Sequence, residues 1–382
     1  MFTARTVERI AEVPAAAWDA CAGTHNPFVQ HGFLRALEDS GSAAPETGWM
    51  PFHVVLESAE GRIEGCAPMY AKSHSQGEYV FDHGWAQAFM DAGGRYYPKL
   101  QVAVPFSPVT GPRLLVRPDA GEGARRALLE GLVSVAEQTG VSSLHVTFPT
   151  ETECRQLSQN GFLARTGEQF HWVNQNYASF DAFLGDLSAR KRKSIRRERR
   201  AVADSEIDIV RLQGDDISPD DWDTMFRFYM DTGSRKWGRP YLTADFFPRL
   251  GAALGDQVVL LLAQAGGAPI AGALHIAGGD TLFGRYWGCS EYQAFLHFEL
   301  CYYQAIDYAI EHGLQKVEAG AQGPHKIQRG YLPVPTYSAH WIRHPHFRDA
   351  VAEAVQQEAR AVQLEIDAIR AQLSPFRQRS CR

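Results

Sequence analysis

A faint internal repeat constrains this chain more than any other feature. Residues 52–70 read as an apolar strand (Phe-His-Val-Val-Leu-Glu), a polar turn, and a second strand from Arg62 to Tyr70. Residues 257–276 follow the same plan: Gln-Val-Val-Leu-Leu-Leu-Ala, the turn Gln-Ala-Gly-Gly, then Ala268 to Ile276. Each second strand carries Ile-x-Gly, and both segments are hairpin signals. A helix and a strand follow each hairpin in the same order. Residues 128–140 are apolar at helical spacing and close on Gly140, with a strand at 141–148; residues 300–313 close on Gly313, with a strand at 314–319. A glycine just past a helix supplies a left-handed cap. Two copies of one α/β unit is the economical reading.

The length of 382 residues also suits two domains, at roughly 150 residues each. We expect an N-terminal domain over 1–172, a second over 173–345, and a C-terminal helical tail over 346–382. The tail carries Val351, Val355, Ala359, Val362, Ile366, Ile369 and Leu373 at three- or four-residue spacing. A net charge of −6 excludes a chain that is basic overall, though not a local basic patch. The six cysteines include no Cys-x-x-Cys, which fits a reducing compartment and argues against a zinc ribbon. There is no signal-peptide core and no apolar run of about 18 residues. The expected location is cytoplasmic. His344 and His346 have no third ligand at zinc-like spacing, so no metal is expected.

Four segments could carry chemistry. Residues 190–200, Arg-Lys-Arg-Lys-Ser-Ile-Arg-Arg-Glu-Arg-Arg, hold eight bases and one acid. Leu187 and Ile195 would anchor one helix face. The outward guanidinium groups, with Arg192, Lys193, Arg196 and Arg197 as candidates, suit a phosphate-rich ligand, or else form a solvated helix face. Residues 226–247 place Arg235, Lys236, Trp237, Arg239 and Tyr241 in a loop between two helices, a mixture that suits an anionic, partly flat ligand. The strand containing Arg285 and Trp287 leads to a helix start at His297 and Glu299, candidate proton handlers or a satisfied buried pair. Last, the glycine-rich stretch 317–333 carries His325, Lys326 and Arg329 just beyond a strand, where they could stabilise an oxyanion or bind phosphate. In the first half, Asp82, His83, Trp85, Tyr96 and Lys99 lie in loops of the kind that line a binding cleft.

These residues resemble the Fem-type aminoacyltransferases. Residues 187–201 are similar to the basic segment that opens that family's second domain. The helix and loop at 228–242 carry an Arg-x-x-Gly like theirs. Pro269-Ile-Ala-Gly-Ala-Leu, Tyr286-Trp-Gly and residues 305–313 follow in the family's order. An uncharacterised bacterial branch, tied to peptidoglycan, resembles most of the chain. The resemblance implies an α/β fold of two tandem GNAT-like domains with mixed sheets, plus a C-terminal helix. It further implies transfer of an acyl or aminoacyl group to an amine without a metal, with acyl-CoA or aminoacyl-tRNA as co-substrate. The family's donor-binding lysine falls nearest to Lys326, and Arg329 is its possible replacement, because the element stands here as Lys326-Ile-Gln-Arg-Gly-Tyr. The common acetyl-CoA signature, [Gln/Arg]-x-x-Gly-x-[Gly/Ala], is not found in the second half of the chain. Asp82, His297 and Glu299 are the candidate bases. The partners implied are an acyl carrier and an amine-bearing cell-wall precursor, peptide or small molecule. The competing expectation is a degenerate acyltransferase fold that binds a peptidoglycan precursor or tRNA without turnover.

Overall fold

A computed structural model describes residues 2–236, 240–320 and 323–377. The chain forms two compact units. The first comprises residues 2–167, 241–246 and 335–364; the second comprises 168–240, 247–334 and 365–377.

In the first unit, Phe2–Val7, His53–Ser58, Ile63–Ala67 and Leu115–Val116 form an antiparallel sheet. A second set runs Trp49–Pro51, Met69–Lys72, Lys99–Val102 and Ser143–Thr147, and is extended by residues 338–342. Lys99–Val102 and Ser143–Thr147 run parallel. The expected helix is Ala124–Thr139, with Gly140 left-handed after it. It buries Leu128, Leu129 and Leu132 against Val54, Leu56, Leu144 and Val146.

The second unit repeats the scheme. Ile207–Gln213, Val258–Ala265, Ala268–Gly278 and Thr281–Cys289 are successive antiparallel neighbours. The turn between the second and third strands is Gly266-Gly267, both at positive φ (56° and 79°), as a two-residue hairpin of matching twist requires. Residues 258–263 are buried without alternation, the pattern of a strand covered on both faces. Lys316–Glu318 lies parallel to Thr281–Cys289, and residues 171–173 complete the sheet. Trp172, Leu282, Val317, Ile306 and Tyr303 form the core beneath. Ile195 and Leu187 join that core, so the basic helix Ala189–Ala203 docks by its two apolar anchors.

The C-terminal helix runs Pro345–Ala368 and ends in a π-helical turn, Ile369–Leu373. Val351, Val355, Ile366 and Ile369 are buried, whereas Leu373 is exposed. Among the described residues, no helix is long and apolar enough to cross a membrane.

Candidate active site

The second unit contains two parallel strands that pair briefly and leave a partly exposed end, the strand opening. Thr281–Cys289 and Lys316–Glu318 pair only from Thr281↔Lys316 to Phe283↔Glu318. Residues 284–287 and 319–320 beyond that point are only partly buried. The space past the carboxyl ends of strands is where α/β folds commonly receive ligands. Leu274 pairs with Tyr286 and His275 with Gly284. Arg285 is therefore the extra residue of a β-bulge, a device that re-aims a side chain. Its Nη2 lies 3.9 Å from Glu318 Oε2.

Past the strand end, the short helix Pro324–Arg329 brings back His325, Lys326 and Arg329. Lys326 is buried, and its Nζ donates to the Gly320 carbonyl at 2.9 Å. Burial pulls this ammonium down to about 7. His171 stands opposite Glu318 in register. Burial lowers its pKa as well, with Glu318, Lys316, Arg285 and Lys326 all within electrostatic reach.

The facing helix is irregular. Leu296–Phe298 widens into a π-helical turn, Glu299–Tyr303, before continuing as Gln304–Glu311. Such turns concentrate at functional positions. Here the turn sends nearby side chains to different partners. Tyr302 OH lies 2.9 Å from His325 Nε2. The His297 ring packs between Trp287, Tyr302 and His325, at centroid distances of 5.1, 5.3 and 6.0 Å. Glu299 turns instead to Arg199 (3.0 Å) and Gln304 (2.9 Å). The two candidate proton handlers therefore stand in separate settings.

Glu198, the one acid in the basic run, is buried and went unnoticed in the sequence. It accepts from Tyr303 Oη at 2.5 Å and from Arg329 Nη2 at 2.8 Å. Arg329 also donates to the His325 carbonyl at 2.7 Å, and its guanidinium carbon sits 3.4 Å from the Phe298 ring centre. Arg329 thus fastens the loop that carries Lys326. Replacing Glu198 by alanine strands a buried guanidinium and is expected to cost about 3 kcal/mol. Urea denaturation checks this, and the double change Glu198→Ala with Arg329→Met should recover part of the loss.

On the same helix, Arg190, Lys191, Arg192, Lys193, Arg197 and Arg200 have no carboxylate within 4.0 Å among the described residues, whereas Arg196 pairs with Asp181 at 2.8 Å. Trp237 and Arg239 lie outside the described residues, as do the side chains of Arg235 and Lys236. Tyr241 belongs to the first unit, stacked on Phe106 with ring centres 5.0 Å apart.

The first unit brings Asp82, Tyr96 and Lys99 together, but in its interior. Lys99 Nζ donates to Ser75 Oγ (2.8 Å), Glu78 Oε2 (2.7 Å) and Asp82 Oδ2 (2.5 Å). Tyr96 Oη donates to Asp82 at 2.7 Å and lies 3.3 Å from His145 Nε2. His145 Nδ1 is 2.7 Å from His340 Nδ1. Trp85 packs edge-on against His340, and His83 is exposed, stacked on Phe81. Burial opposes ionisation of Asp82, but the Lys99 ammonium outweighs it and holds the carboxyl below its usual range. Burial raises Glu78 to about 7 and, with help from Lys99, lowers His145 to about 3. Glu78, His145 and His340 were also missed. A signal existed: Ser143-Leu-His145 and Ser338-Ala-His340 repeat Ser-x-His on strands that pair His145 directly with His340.

This unit's counterpart of the strand opening is filled. Past Val102 and Val146, residues 103–109 are buried. Arg113, fully buried, donates to the carbonyls of Thr147 (2.9 Å), Val109 (2.5 Å), Gly111 (3.2 Å) and Pro112 (3.0 Å). Among the described residues of either unit, no group of three His, Cys, Asp or Glu side chains is placed to hold a metal ion.

Comparison with known proteins decides the family, because the model of the FemAB-like proteins, described as peptidoglycan biosynthesis/recognition, matches residues 9–378. The chain belongs to the FemAB-like family. This FemAB-like protein shares its fold with FemX at a TM-score of 0.57 and 12% identity, covering 91% of this chain and 100% of that one. The C-terminal domain of an Agrobacterium fabrum protein assigned as a lysylphosphatidylglycerol synthetase gives 0.56 at 12% identity, over 92% and 97%. L-PGS from Bacillus licheniformis gives 0.52 at 10% identity, over 86% and 96%. At such identities the likeness establishes the fold alone, an α/β arrangement of two repeated units with mixed sheets and a C-terminal helix. No curated protein matches the sequence significantly.

Proposed function

We propose that this FemAB-like protein is an N-acyltransferase whose chemistry occupies the strand opening of the second unit. The reading rests on Lys326, a buried ammonium lowered to about 7 beside a bulged arginine, where two parallel strands stop pairing. An amine near pKa ~10 must lose a proton before it attacks. His297, partly exposed beside His325, is the acceptor in this scheme. The amine nitrogen attacks the acyl carbonyl, the Lys326 ammonium steadies the oxyanion, and the carrier's oxygen or sulfur leaves with the proton. Arg329 positions the loop. Glu299, tied to Arg199, and Asp82, tied to Lys99 inside the other unit, take no part in the proton transfer of this scheme.

The carrier is a phosphate-bearing one, aminoacyl-tRNA or acyl-CoA, and the acceptor is an amine of a cell-wall precursor. The family description and the unpaired cations of the basic helix support this. Incubation with charged tRNA or acyl-CoA and a UDP-linked muropeptide, read by mass spectrometry, tests it; stabilisation without product would favour the binding-only reading. Neutralising Arg192, Lys193, Arg196 and Arg197 together should weaken tRNA binding by more than tenfold at low salt and flatten its salt dependence. Filter binding across a salt series reads both.

A further inference from the structure

A cavity elsewhere in this unit has chemistry of its own. About 510 Å³ lies between the end of the helix Ala189–Ala203, the start of the strand Ile207–Gln213 and the π-helical turn. Such a volume suits a small molecule. Its walls include Val202, Ile207 and Ile209. Glu299, only 4% exposed, forms part of the lining. Its Oε1 accepts from Arg199 and Gln304, whereas its buried Oε2 has no partner. A buried carboxylate oxygen left without a donor is costly, and a ligand that brings one removes the cost. Two further carboxylates, Asp204 and Asp208, are exposed on the lining with no ion-pair partner among the described residues. Of the two cations present, Arg199 is held by Glu299 and Asp307, which leaves Arg200. Acceptors therefore outnumber free cations, over an apolar wall.

We infer that this cavity binds an aliphatic primary ammonium. The charged head meets Glu299, Asp204 and Asp208, and the methylene stem lies along Val202, Ile207 and Ile209. The inference is independent of acyl transfer, because its readout is binding.

Titration of the full-length protein with 1,5-diaminopentane, n-pentylamine, n-pentanol and pentanoate, followed by methyl NMR of Val202, Ile207 and Ile209 and by calorimetry, tests it. Both amines should saturate and shift those methyls. Pentanol and pentanoate should not bind within the same range. Asp208→Asn, a change at an exposed side chain, should weaken the amines about threefold. Ala203→Trp should abolish binding by filling the cavity without entering the core, and Glu299→Gln should weaken it at least tenfold. Absence of saturable amine binding, equal binding of pentanol, tighter binding of pentanoate, or indifference to both Asp208→Asn and Ala203→Trp would overturn the assignment. The last two variants keep the test decisive should Glu299→Gln fail to fold.

Discussion

Replacing Lys326 by methionine should cut turnover by 10²- to 10³-fold, the usual size of losing one oxyanion donor, and at the same time make the protein more stable. The side chain is buried, and burial has lowered its ammonium to about 7 from an ordinary 10.5. The folded state therefore binds fewer protons than the unfolded state between those values, and wild-type stability rises with pH across that window. Below about pH 7 the full cost of burying the charge is present. Methionine removes that cost but leaves the Gly320 carbonyl without its donor. A net gain on the order of 2 kcal/mol, or several degrees in Tm, is expected near neutral pH. The gain should shrink towards pH 10.5. The rate profile of the wild type should fall on its alkaline side near pH 7, as the ammonium is lost, and the variant should lack that limb. Loss of activity with unchanged stability at every pH would mean that Lys326 is not a buried cation.

The opposite response is expected in the first unit. Lys99→Met leaves Glu78 and Asp82 facing one another in the interior without the ammonium that both contact. Breaking a buried pair from one side costs about 3–5 kcal/mol; here Asp82 loses its ammonium, and Glu78 is left with Lys72 at 3.9 Å. The deficit should depend on pH. In the wild type, the depressed Asp82 pKa contributes stability above the ordinary carboxylate value, and this is lost as pH falls through the folded value. In the variant, the stranded carboxyls titrate above their unfolded values, so their cost grows as pH rises. The gap between the proteins should therefore be wider at neutral pH than at pH 4. Urea denaturation followed by tryptophan fluorescence measures it. The triple change Lys99→Met, Glu78→Gln, Asp82→Asn should recover much of the loss, since neutral polar groups are far cheaper to bury than ions.

What could be read from residues alone was whatever is written locally. The hairpins at 52–70 and 257–276 and the helices closed by Gly140 and Gly313 declare themselves through short-range periodicity and capping. The opening in the second unit was half visible, because His325, Lys326 and Arg329 follow a strand within one glycine-rich stretch. Glu198 was hidden because an acid flanked by arginines at 196, 197, 199 and 200 looks like an ordinary surface partner. Only the docking of Leu187 and Ile195 turns it inward to Arg329. Lys99 and Asp82 looked like residues of a cleft because burial is a property of the assembled sheet: the strand Lys99–Val102 is wholly buried. The π-helical turn has no signature in the residue pattern, but the parting of His297 from Glu299 does, because residues two apart stand about 200° from one another around a helix.

That turn also limits how this segment can change. Each residue in a helix advances the chain by about 100°. Deleting one residue past the turn, within Gln304–Glu311, would swing everything on one side of the cut by that angle against the other side. One face or the other would then meet the wrong neighbours. The register of this stretch is therefore held by the number of its residues as well as by the side chains it places, Tyr302 on His325 and Tyr303 on Glu198.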